Sequence, residues 1–288
     1  MSRIVVLGDL NLDVCGDGVS DPRPGYEVRG SVRANAGGSA GTFARVAAGL
    51  GADVTFFGAV GRDIVGDLLE RSLVAAGAEA HLARGASPSG AVVAVRRGNE
   101  RSMICSRGAN DDLDAGWVAD GWPPSVDHLH VSGYSFLAEG PRAAARKGIA
   151  LAGGCGASVS LNLPPANLLA AFGVDRFRPF LQGVDWLFAN QGEGELLAGT
   201  PATDDTVRVL ARQYEAGALT LGAQGAIAWR DGRVDRRGPE AVLDVNPTGA
   251  GDAYAAGFVV ALLGGGALGA VHRAASRAAF DYLCLRGA

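Results

Sequence analysis

Lysine is almost absent from this sequence of 288 residues, in which Lys147 is the single example. A Walker A loop requires a lysine directly after a glycine-rich turn, and a protein kinase requires one on a strand. Lys147 lies in the segment ARKGIA, with no glycine-rich loop before it. Both of these phosphate-binding arrangements are therefore excluded, and any phosphate chemistry in this chain depends on other groups.

Cysteine is also scarce, and its four positions are widely spaced: Cys15, Cys105, Cys155 and Cys284. The lack of a C-x-x-C pair disfavours a zinc knuckle and a disulfide framework, so a reducing compartment is the simplest location. The first apolar run is interrupted by Asp9 and Asn11 before it reaches the length of an export signal. We therefore expect a cytoplasmic protein.

An excess of positive charge is missing as well. The formal net charge is -4, and 48% of the residues are hydrophobic against 19% that are charged. This balance argues against a disordered chain and against a nucleic-acid partner. An uncharged stretch, residues 253–271, contains five glycines, three of them consecutive. It predicts two helices joined by a turn, so we expect no membrane partner.

Short apolar runs rich in β-branched residues alternate with helical patterns along most of the chain. The strand-like runs are IVVLGDL, DVTFFGAV, HLHVSG, ASVSLNL, DWLFAN and ALTLGA. The helical patterns are TFARVAAGLG, GDLLERSLVAAG, PRAAARKGIALAG, VDRFRPFLQG and TVRVLARQYEAG. Strands that alternate with helices of this length form a parallel sheet with helices on both faces. The sequence therefore predicts an α/β fold.

Two segments break this alternation, residues 11–36 and 87–108. Both show the alternating pattern of half-exposed strands, with glycine turns and no helical pattern. We predict that they form a small separate sheet, while residues 1–10, 37–86 and 109–288 form the α/β core. Ligands of open α/β sheets bind at the carboxyl ends of the strands, so the small sheet can cover a site there.

The segment NPTGAGDAYAAGF combines a turn with a helix start, and its helical pattern begins at about Asp252. The amides of Gly249, Ala250 and Gly251 then form a row of donors at a helix N-terminus, where anions such as phosphate bind. Asp252 is either the N-cap of this helix or a general base that accepts the proton of an attacking hydroxyl. The segment alone leaves both interpretations open.

Polar pairs follow other predicted strands. Asn11 and Asp13 are two residues apart, so their side chains face the same way and can hold neighbouring sugar hydroxyls. The alternative is an Asx turn that closes the strand. Arg107 can meet an anionic group of a substrate or simply cap the small sheet.

Asn190 and Glu193 lie one turn apart where a strand changes into a helix, and they can hold the water ligands of Mg²⁺. The alternative is a polar helix start favoured by the helix dipole. Thr220, Gly222 and Gly225 follow another apolar strand. They can present hydroxyl and backbone groups to a nucleotide, or they can form an ordinary strand end.

Several motifs occur together in the order of a known family: GDLNLDV, ANAGGSAGTFARVAAGLG, GNERSMICSRGAN, FANQGEGELLAG, TLGAQG and NPTGAGDAYAAGF. The chain thus resembles the ribokinase-like (PfkB-type) carbohydrate kinases over nearly its whole length. The resemblance implies a three-layer α/β/α sandwich with a small β-sheet lid. It also implies an ATP-dependent kinase that transfers the γ-phosphoryl group to a hydroxyl of a sugar or sugar-like molecule, with Mg²⁺ as cofactor.

The resemblance also implies roles for individual residues. The catalytic group is the base Asp252 with the anion-binding turn Gly249, Ala250 and Gly251. The substrate-binding residues are Asn11, Asp13, Gly37, Gly38, Thr42, Arg107 and Asp252. The nucleotide-binding residues are Asn190, Thr220, Gly222, Gly225, Gly249 and Gly251, and Mg²⁺ is held through water by Asn190 and Glu193.

Three positions depart from the family pattern. Thr42 stands where the family usually has an asparagine, which weakens one expected sugar contact. Asn246 replaces the first aspartate of D-T-T-G-A-G-D, a residue that the family uses near a monovalent cation, so we expect weak dependence on K⁺. The strand end at 162–164 reads Asn-Leu-Pro where many members have Asp-x-Asn-x-Arg, so the usual arginine contact is missing.

Three other functions compete with that of a sugar kinase. A nucleoside kinase of the same family carries similar motifs. A sugar- or nucleotide-sensing module keeps the fold without the chemistry. A serine hydrolase is a remote alternative, because Ser39 in GGSAG fits the G-x-S-x-G pattern and His272 follows later in the chain. That alternative leaves GAGD and N-x-x-E unexplained.

The two segments of the small sheet carry apolar residues that we expect on one face: Val92, Val93, Val95, Met103 and Ile104. A small exposed sheet with an apolar face tends to find a partner. Together with the family resemblance, this pattern predicts a homodimer that pairs through the lid.

Overall fold

The computed structural model describes residues 1–17, 27, 29–97, 100–241 and 247–287. Its strands in chain order are β1 (Arg3–Leu7), β2 (Asn11–Asp17), β3 (Ser31–Gly37), β4 (Asp53–Val60), β5 (Glu79–Arg84), β6 (Gly90–Arg97), β7 (Glu100–Ser106), β8 (His128–Ser132), β9 (Ser158–Asn162), β10 (Trp186–Asn190), β11 (Ala216–Thr220), β12 (Ala226–Arg230) and β13 (Arg233–Arg237). These strands form one large sheet and one small sheet.

The large sheet has the strand order β13-β12-β11-β10-β9-β8-β1-β4-β5. In this order, every neighbouring pair from β11 through to β5 is parallel. Strands β12 and β13 extend the sheet as antiparallel strands. The helices are α1 (Ser39–Gly49), α2 (Ile64–Ala75), α3 (Ala115–Asp120), α4 (Glu139–Gly154), α5 (Ala166–Phe172), α6 (Val174–Phe177), α7 (Gln191–Ala198), α8 (Thr203–Gln213), α9 (Ala250–Leu263) and α10 (Leu268–Gly287).

Strand β1 shows how helices cover both faces of the large sheet. Ile4 and Val6 belong to a hydrophobic core that includes residues of α1, α2, α9 and α10. Val5 and Leu7 belong to the opposite core, which includes residues of α4 and α8. Alternate side chains of a strand point to opposite faces, so a continuous apolar run marks a strand that is buried on both. The predicted three-layer α/β/α fold is confirmed.

The small sheet has the strand order β3-β2-β6-β7. Strands β2 and β6 pair in parallel, and the two outer pairings are antiparallel. Its strands come from the two segments that break the alternation of strands and helices, although β3 extends to Gly37. A second, smaller sheet is therefore present, as predicted.

The register of the small sheet divides its apolar residues between two faces. Val93 lies opposite Ile104, and Ala94 lies opposite Met103. Neighbouring residues of a strand point to opposite faces, so Val93, Val95 and Ile104 share one face while Val92 and Met103 lie on the other. The expectation that all five share a face is wrong, because it ignored the two-residue period of the strand.

The uncharged stretch 253–271 forms two helices joined by a turn, because α9 ends at Leu263 and α10 begins at Leu268. Glycine residues occupy the turn between them. Among the helices of the described part of the chain, none is both long and apolar enough to cross a membrane.

Two buried histidines lie inside the large sheet. His128 contacts Ser158 Oγ through Nδ1 and Ser160 Oγ through Nε2, each over 2.7 Å. His130 Nδ1 lies 2.8 Å from the same Ser160 Oγ. Both rings are fully buried, and burial lowers the pKa of His128 to about 3 and that of His130 well below its ordinary value. Both histidines are therefore neutral in the folded protein.

The low pKa of these two histidines leads to a prediction of how the stability of the protein changes with pH. The unfolded chain binds protons at both histidines below their ordinary pKa of about 6.5, whereas the folded chain does not. The free energy of unfolding should therefore fall as the pH decreases, by about 2 kcal/mol for each histidine at about pH 5. Urea unfolding of the wild type and of His128→Gln at several pH values measures this slope, which should be shallower in the variant. The more exposed His81→Gln is the control, and equal slopes in all three proteins would contradict the prediction.

Candidate active site

The carboxyl ends of the parallel strands bring several polar side chains to one edge of the large sheet. Asp9 follows β1, and the last residues of four neighbouring strands are Ser132, Asn162, Asn190 and Thr220. Asn190 lies directly opposite Thr220, and Ser132 directly opposite Asn162. This edge is where open α/β sheets bind their ligands.

Asp252 lies in the first turn of α9, above this edge. Its Oδ1 accepts hydrogen bonds from Ser39 Oγ over 2.6 Å and from Asn162 Nδ2 over 2.7 Å. The pKa of Asp252 is raised to about 7, mainly by burial and in smaller part by the charges of Asp9 and Asp13, while the two hydrogen bonds oppose this rise. At neutral pH the carboxyl group therefore exchanges readily between its two protonation states.

The structure tests the interpretation of Asp252 as a helix cap. The N-cap of α9 is Gly249, with a φ of 88°, so the helix begins at Ala250, two residues earlier than expected. Asp252 is the third residue of the helix, and its carboxylate is bound by α1 and β9. The N-cap interpretation is therefore wrong.

The anion-binding turn differs in detail from the expectation. The amide of Ala250 donates to the carbonyl of Pro247 over 3.1 Å, so it is already engaged. The amides of Gly251 and Asp252 belong to the first helical turn, where α-helix geometry provides no acceptor within the helix. A Cβ built on Gly251 would have no protein atom within 4 Å. By this geometry we expect the donors available to an anion to lie at Gly251 and Asp252 rather than at Ala250.

Asp9 is a central residue that the sequence reasoning missed. It is 3% exposed, and its Oδ2 accepts from the Ser39 amide over 3.0 Å and from Asn11 Nδ2 over 3.3 Å. Its Oδ1 accepts from Ser132 Oγ over 2.7 Å. Asp9 therefore fixes the start of α1 relative to β1 and β8. Its place directly after a buried strand, in GDLNLD, is the signal that identifies it.

The predicted glycine pair allows close approach of the chain at the start of α1. Gly38 has a φ of 87°, and a Cβ there would lie 2.4 Å from the carbonyl oxygen of Asp9. A Cβ on Gly37 would lie 2.1 Å from Oδ2 of Asp13. Glycine is therefore required at Gly38 for steric reasons, while a side chain at Gly37 would displace the Asp13 carboxylate.

Asn11 and Asp13 lie in β2, so the Asx-turn alternative is wrong. Asn11 Oδ1 accepts from Asn110 Nδ2 over 2.9 Å, and the buried Asn110 also bonds both backbone groups of Leu10. Asp13 is 6% exposed, and its Oδ2 accepts from Arg286 Nη2 over 3.2 Å. Asn11 and Asp13 share a face of the small sheet, as their spacing predicts.

The side chains of Thr42 and Arg107 contact groups other than Asp252. Thr42 is buried, and its Oγ1 accepts from Arg45 Nη2 over 3.2 Å. Arg107 donates from Nε to Asp111 over 2.9 Å, and its guanidinium lies over the ring of Tyr134. The structure records no direct contact of either side chain with Asp252 in the described part of the chain.

Tyr134 is a second residue that the sequence reasoning missed. It lies in a short turn of 3-10 helix, Gly133–Phe136, that follows β8. Burial raises the pKa of Tyr134, and the charges of Asp9 and Asp252 raise it further. The ring therefore provides an aromatic side chain close to the acidic centre. Its place after the strand HLHVSG is the available signal.

Asn190 and Glu193 form a capping box at the start of α7. Asn190 Oδ1 accepts from the Glu193 amide over 2.9 Å, and Glu193 Oε2 accepts from the Asn190 amide over 2.8 Å. The pKa of Glu193 is raised to about 8, mainly by burial and in smaller part by the charge of Asp252, against the hydrogen bond from the Asn190 amide. The helix-start alternative is therefore present in the structure, and it is compatible with a role towards a cation.

The oxygen donors here fit a hard divalent cation held through water. The charge of Asp252 raises the pKa of Glu193, and a bound Mg²⁺ would relieve this repulsion. No group of three or more His, Cys, Asp or Glu side chains in the described residues is arranged to hold a metal directly. The donors present therefore suit a cation that keeps most of its water ligands.

The predicted nucleotide turn joins β11 to β12. Gly222 has a φ of 58° with no atom near its Cβ position, so its surroundings are open. Gly225 has a φ of 90°, and a Cβ there would lie 2.0 Å from the carbonyl oxygen of Arg237. Thr220 ends β11 next to Asn190, which places this turn beside the capping box.

Two further sequence features have clear outcomes. Ser39 Oγ bonds Asp252, while the buried His272 Nδ1 lies 2.9 Å from Asp235, so these residues form no hydrolase triad. Asn246, on which the expectation about K⁺ depends, lies outside the described residues. That expectation stays a prediction.

The comparisons with known proteins identify the family. The chain matches the pfkB family carbohydrate kinases over residues 1–280, and it belongs to this family. It is 27% identical to the ribokinase of Haemophilus influenzae over 271 residues, and this alignment covers 90% of this chain and 85% of the ribokinase. It is 28% identical over 266 residues to a fructokinase of Escherichia coli, covering 86% and 83% of the two chains. The prediction of a carbohydrate kinase is confirmed.

Solved structures agree with this fold. An adenosine kinase of Sinorhizobium meliloti superposes with a TM-score of 0.87 at 23% identity, covering 98% of this chain and 93% of that one. An Escherichia coli protein described as ribokinase II, in complex with ATP and Mg²⁺, superposes with a TM-score of 0.84 at 19% identity, covering 96% and 91%. At this level of identity the likeness shows the fold.

Gly38 provides a test of the close packing at the start of α1. Gly38→Ala should destabilise the protein and lower its kinase activity, because the new Cβ meets the Asp9 carbonyl and displaces Ser39. Gly51→Ala is the matched control, since its φ of 89° is almost the same but no atom lies within 4 Å of its Cβ position. Backbone strain alone costs about 1–2 kcal/mol at either site. Urea unfolding and kinase assays should show the larger loss at Gly38, and equal losses would contradict the argument.

Proposed function

We propose that this protein is an ATP-dependent kinase that transfers the γ-phosphoryl group to a hydroxyl of a sugar or sugar-like molecule, with Asp252 as general base. One observation carries the proposal. The Asp252 carboxylate has a pKa of about 7 and lies in the first turn of α9, beside amides that can bind an anion. A base with this pKa can take a proton at neutral pH and release it again.

The surrounding side chains orient this base. Ser39 and Asn162 both donate to Oδ1 of Asp252, so Oδ2 is the oxygen left for the acceptor hydroxyl. Asp252 removes the hydroxyl proton while the hydroxyl oxygen attacks the γ-phosphorus and the bond to the β,γ-bridging oxygen breaks. The amides of Gly251 and Asp252 stabilise the charge on the phosphoryl oxygens.

ATP and Mg²⁺ belong on the side of α7 and β11. When bound, Mg²⁺ neutralises charge on the nucleotide phosphates. Glu193 and Asn190 would hold it through water, and Thr220, Gly222 and Gly225 would contact the nucleotide. The Arg286 guanidinium already donates to the carbonyl of Thr248, directly before the anion-binding turn, so a monovalent cation would add less positive charge there.

The acceptor belongs between the small sheet and the large sheet. Asn11, Asp13 and the glycine pair line this side, and the small sheet acts as a lid over it. The carboxylates of Asp9, Asp13 and Asp252 make the region acidic, which favours an uncharged acceptor with several hydroxyl groups. A nucleoside is the second candidate, because the Tyr134 ring beside this centre can stack on a base.

Asp252→Asn tests the role of the base. Asparagine keeps the size of the side chain and an oxygen for Ser39 and Asn162, but it cannot take up the proton. We expect kcat to fall by on the order of 10²–10⁴-fold without loss of folding. Turnover with Mg²⁺ and ATP over a panel of sugars and nucleosides, with a melting curve, measures this.

Ser39→Ala is a second test of the same base. It removes a hydrogen bond that favours the charged carboxylate, so it should raise the pKa of Asp252. In the wild type, kcat/KM should fall as the pH drops below about 7, because the base becomes protonated. In Ser39→Ala this decrease should begin at a higher pH. A folded Asp252→Asn variant with near wild-type turnover would contradict the proposal and favour the sensing module.

We also infer that two copies of the chain pair through the outer face of the small sheet. Val93 and Ile104 lie on that face and are exposed, Ile104 to 76%. Exposed apolar residues on a small sheet are typical of an interface. Cytoplasmic location stays a prediction from the sequence.

Sedimentation of the wild type at micromolar concentration should show a dimer, and Ile104→Glu should convert it to a monomer by burying a charge in the interface. Val234→Glu on β13 is the control, because Val234 is also exposed, to 54%, but lies at the edge of the large sheet. It should leave the dimer intact. A wild type that sediments only as a monomer would contradict the inference.

A further inference from the structure

Arg286, in the last turn of α10, reaches two other parts of the chain. Its Nη2 donates to Asp13 Oδ2 over 3.2 Å, and its Nη1 donates to the carbonyl oxygen of Thr248 over 3.3 Å. The guanidinium lies 5.3 Å from the ring centre of Tyr282, and only 11% of the side chain is exposed. One largely buried guanidinium therefore joins the small sheet to the turn before α9.

The backbone of Arg286 makes a further contact with the small sheet. Its carbonyl oxygen accepts from Nη1 of Arg33 on β3 over 3.0 Å. The end of α10 is thus attached to β2 through a side chain and to β3 through a backbone group. The position of the small sheet above the site and the position of α10 are linked.

The bond to Thr248 fixes the peptide between Thr248 and Gly249. In a planar trans peptide the carbonyl and the following N–H point in opposite directions. Arg286 holds the carbonyl, so it also sets the direction of the Gly249 amide. A Cβ on Gly249 would lie 2.4 Å from the Tyr282 hydroxyl, which shows that α10 packs closely behind this turn.

The bond to Asp13 holds a buried carboxylate. Burial raises the pKa of Asp13, and Arg286 is the largest opposing influence, followed by Arg45, while Asp9 adds to the rise. Removing one partner of a buried ion pair leaves the other charge uncompensated. Arg286 therefore favours the ionised form of Asp13 and orients its carboxylate.

We propose that Arg286 is a positioning residue for phosphoryl transfer, which orients Asp13 towards the acceptor and the Thr248–Gly249 peptide towards the transferred group. This inference rests on the proposed function and extends it to the end of α10. One guanidinium holds both groups, so its loss should impair acceptor binding and the chemical step together.

Arg286→Gln should raise the acceptor KM and lower kcat, each by roughly 10–100-fold, because two hydrogen bonds of a charged group are lost. Millimolar guanidinium ion should restore part of both parameters in this variant. In an Asp13→Asn background, Arg286→Gln should change the acceptor KM much less, because the shared contact is already gone. Arg277→Gln is the control on the same helix, since Arg277 is exposed and pairs with Asp281, and it should behave as the wild type.

Kinetic parameters of Arg286→Gln within about twofold of the wild type would overturn the proposal. The proposal would also be overturned if Arg286→Gln loses activity together with a lower melting temperature and guanidinium ion does not restore that activity. If Arg286→Gln does not fold, Arg286→Lys replaces it, because lysine keeps the charge without the planar pair of donors. Wild-type kinetics in Arg286→Lys would then overturn the proposal. A wild type inactive on every acceptor would instead defeat the proposed function, and this inference with it.

Discussion

The buried negative charge of Asp252 is the constraint on which the rest of the site depends. Its carboxylate lies near Asp9 and Asp13, and their charges raise its pKa along with burial. Ser39 and Asn162 donate to it, and the N-terminus of α9 favours negative charge. These opposing influences hold its pKa close to neutrality. A more exposed carboxylate would be a weaker base, and one without donors would stay protonated at neutral pH.

The parallel sheet provides the means to bring those groups together. Parallel strands all end at the same edge, so short polar segments after β1, β8, β9, β10 and β11 meet although they are far apart in the chain. Asp9 holds two of these parts together, because its carboxylate accepts hydrogen bonds from the start of α1 and from the end of β8. A buried charge with several hydrogen bonds is rigid, which suits a site that works by positioning.

The proposed acceptor side combines three separate parts of the chain. The small sheet contributes Asn11 and Asp13, the large sheet contributes Asp9, and α10 contributes Arg286. Asn110 connects the first two by bonding Leu10 and Asn11. The small sheet is thus attached to the core through Asn110 and at the end of α10, and both attachments involve residues next to the proposed acceptor site.

The sequence by itself determined the α/β fold, the small sheet and the family motifs GAGD and N-x-x-E, because these depend on local periodicity and short spacings. It also placed Asn11 and Asp13 on one face. It did not reveal Asp9 as the link between α1 and β8, the donors to Asp252, or the partnership of Arg286 with Asp13. Those contacts join residues up to 273 positions apart, and no local pattern encodes them. Only the tertiary structure decided that Asp252 is bound by Ser39 and Asn162 instead of capping its helix, because the crossing of α1, β9 and α9 sets which donors reach its carboxylate.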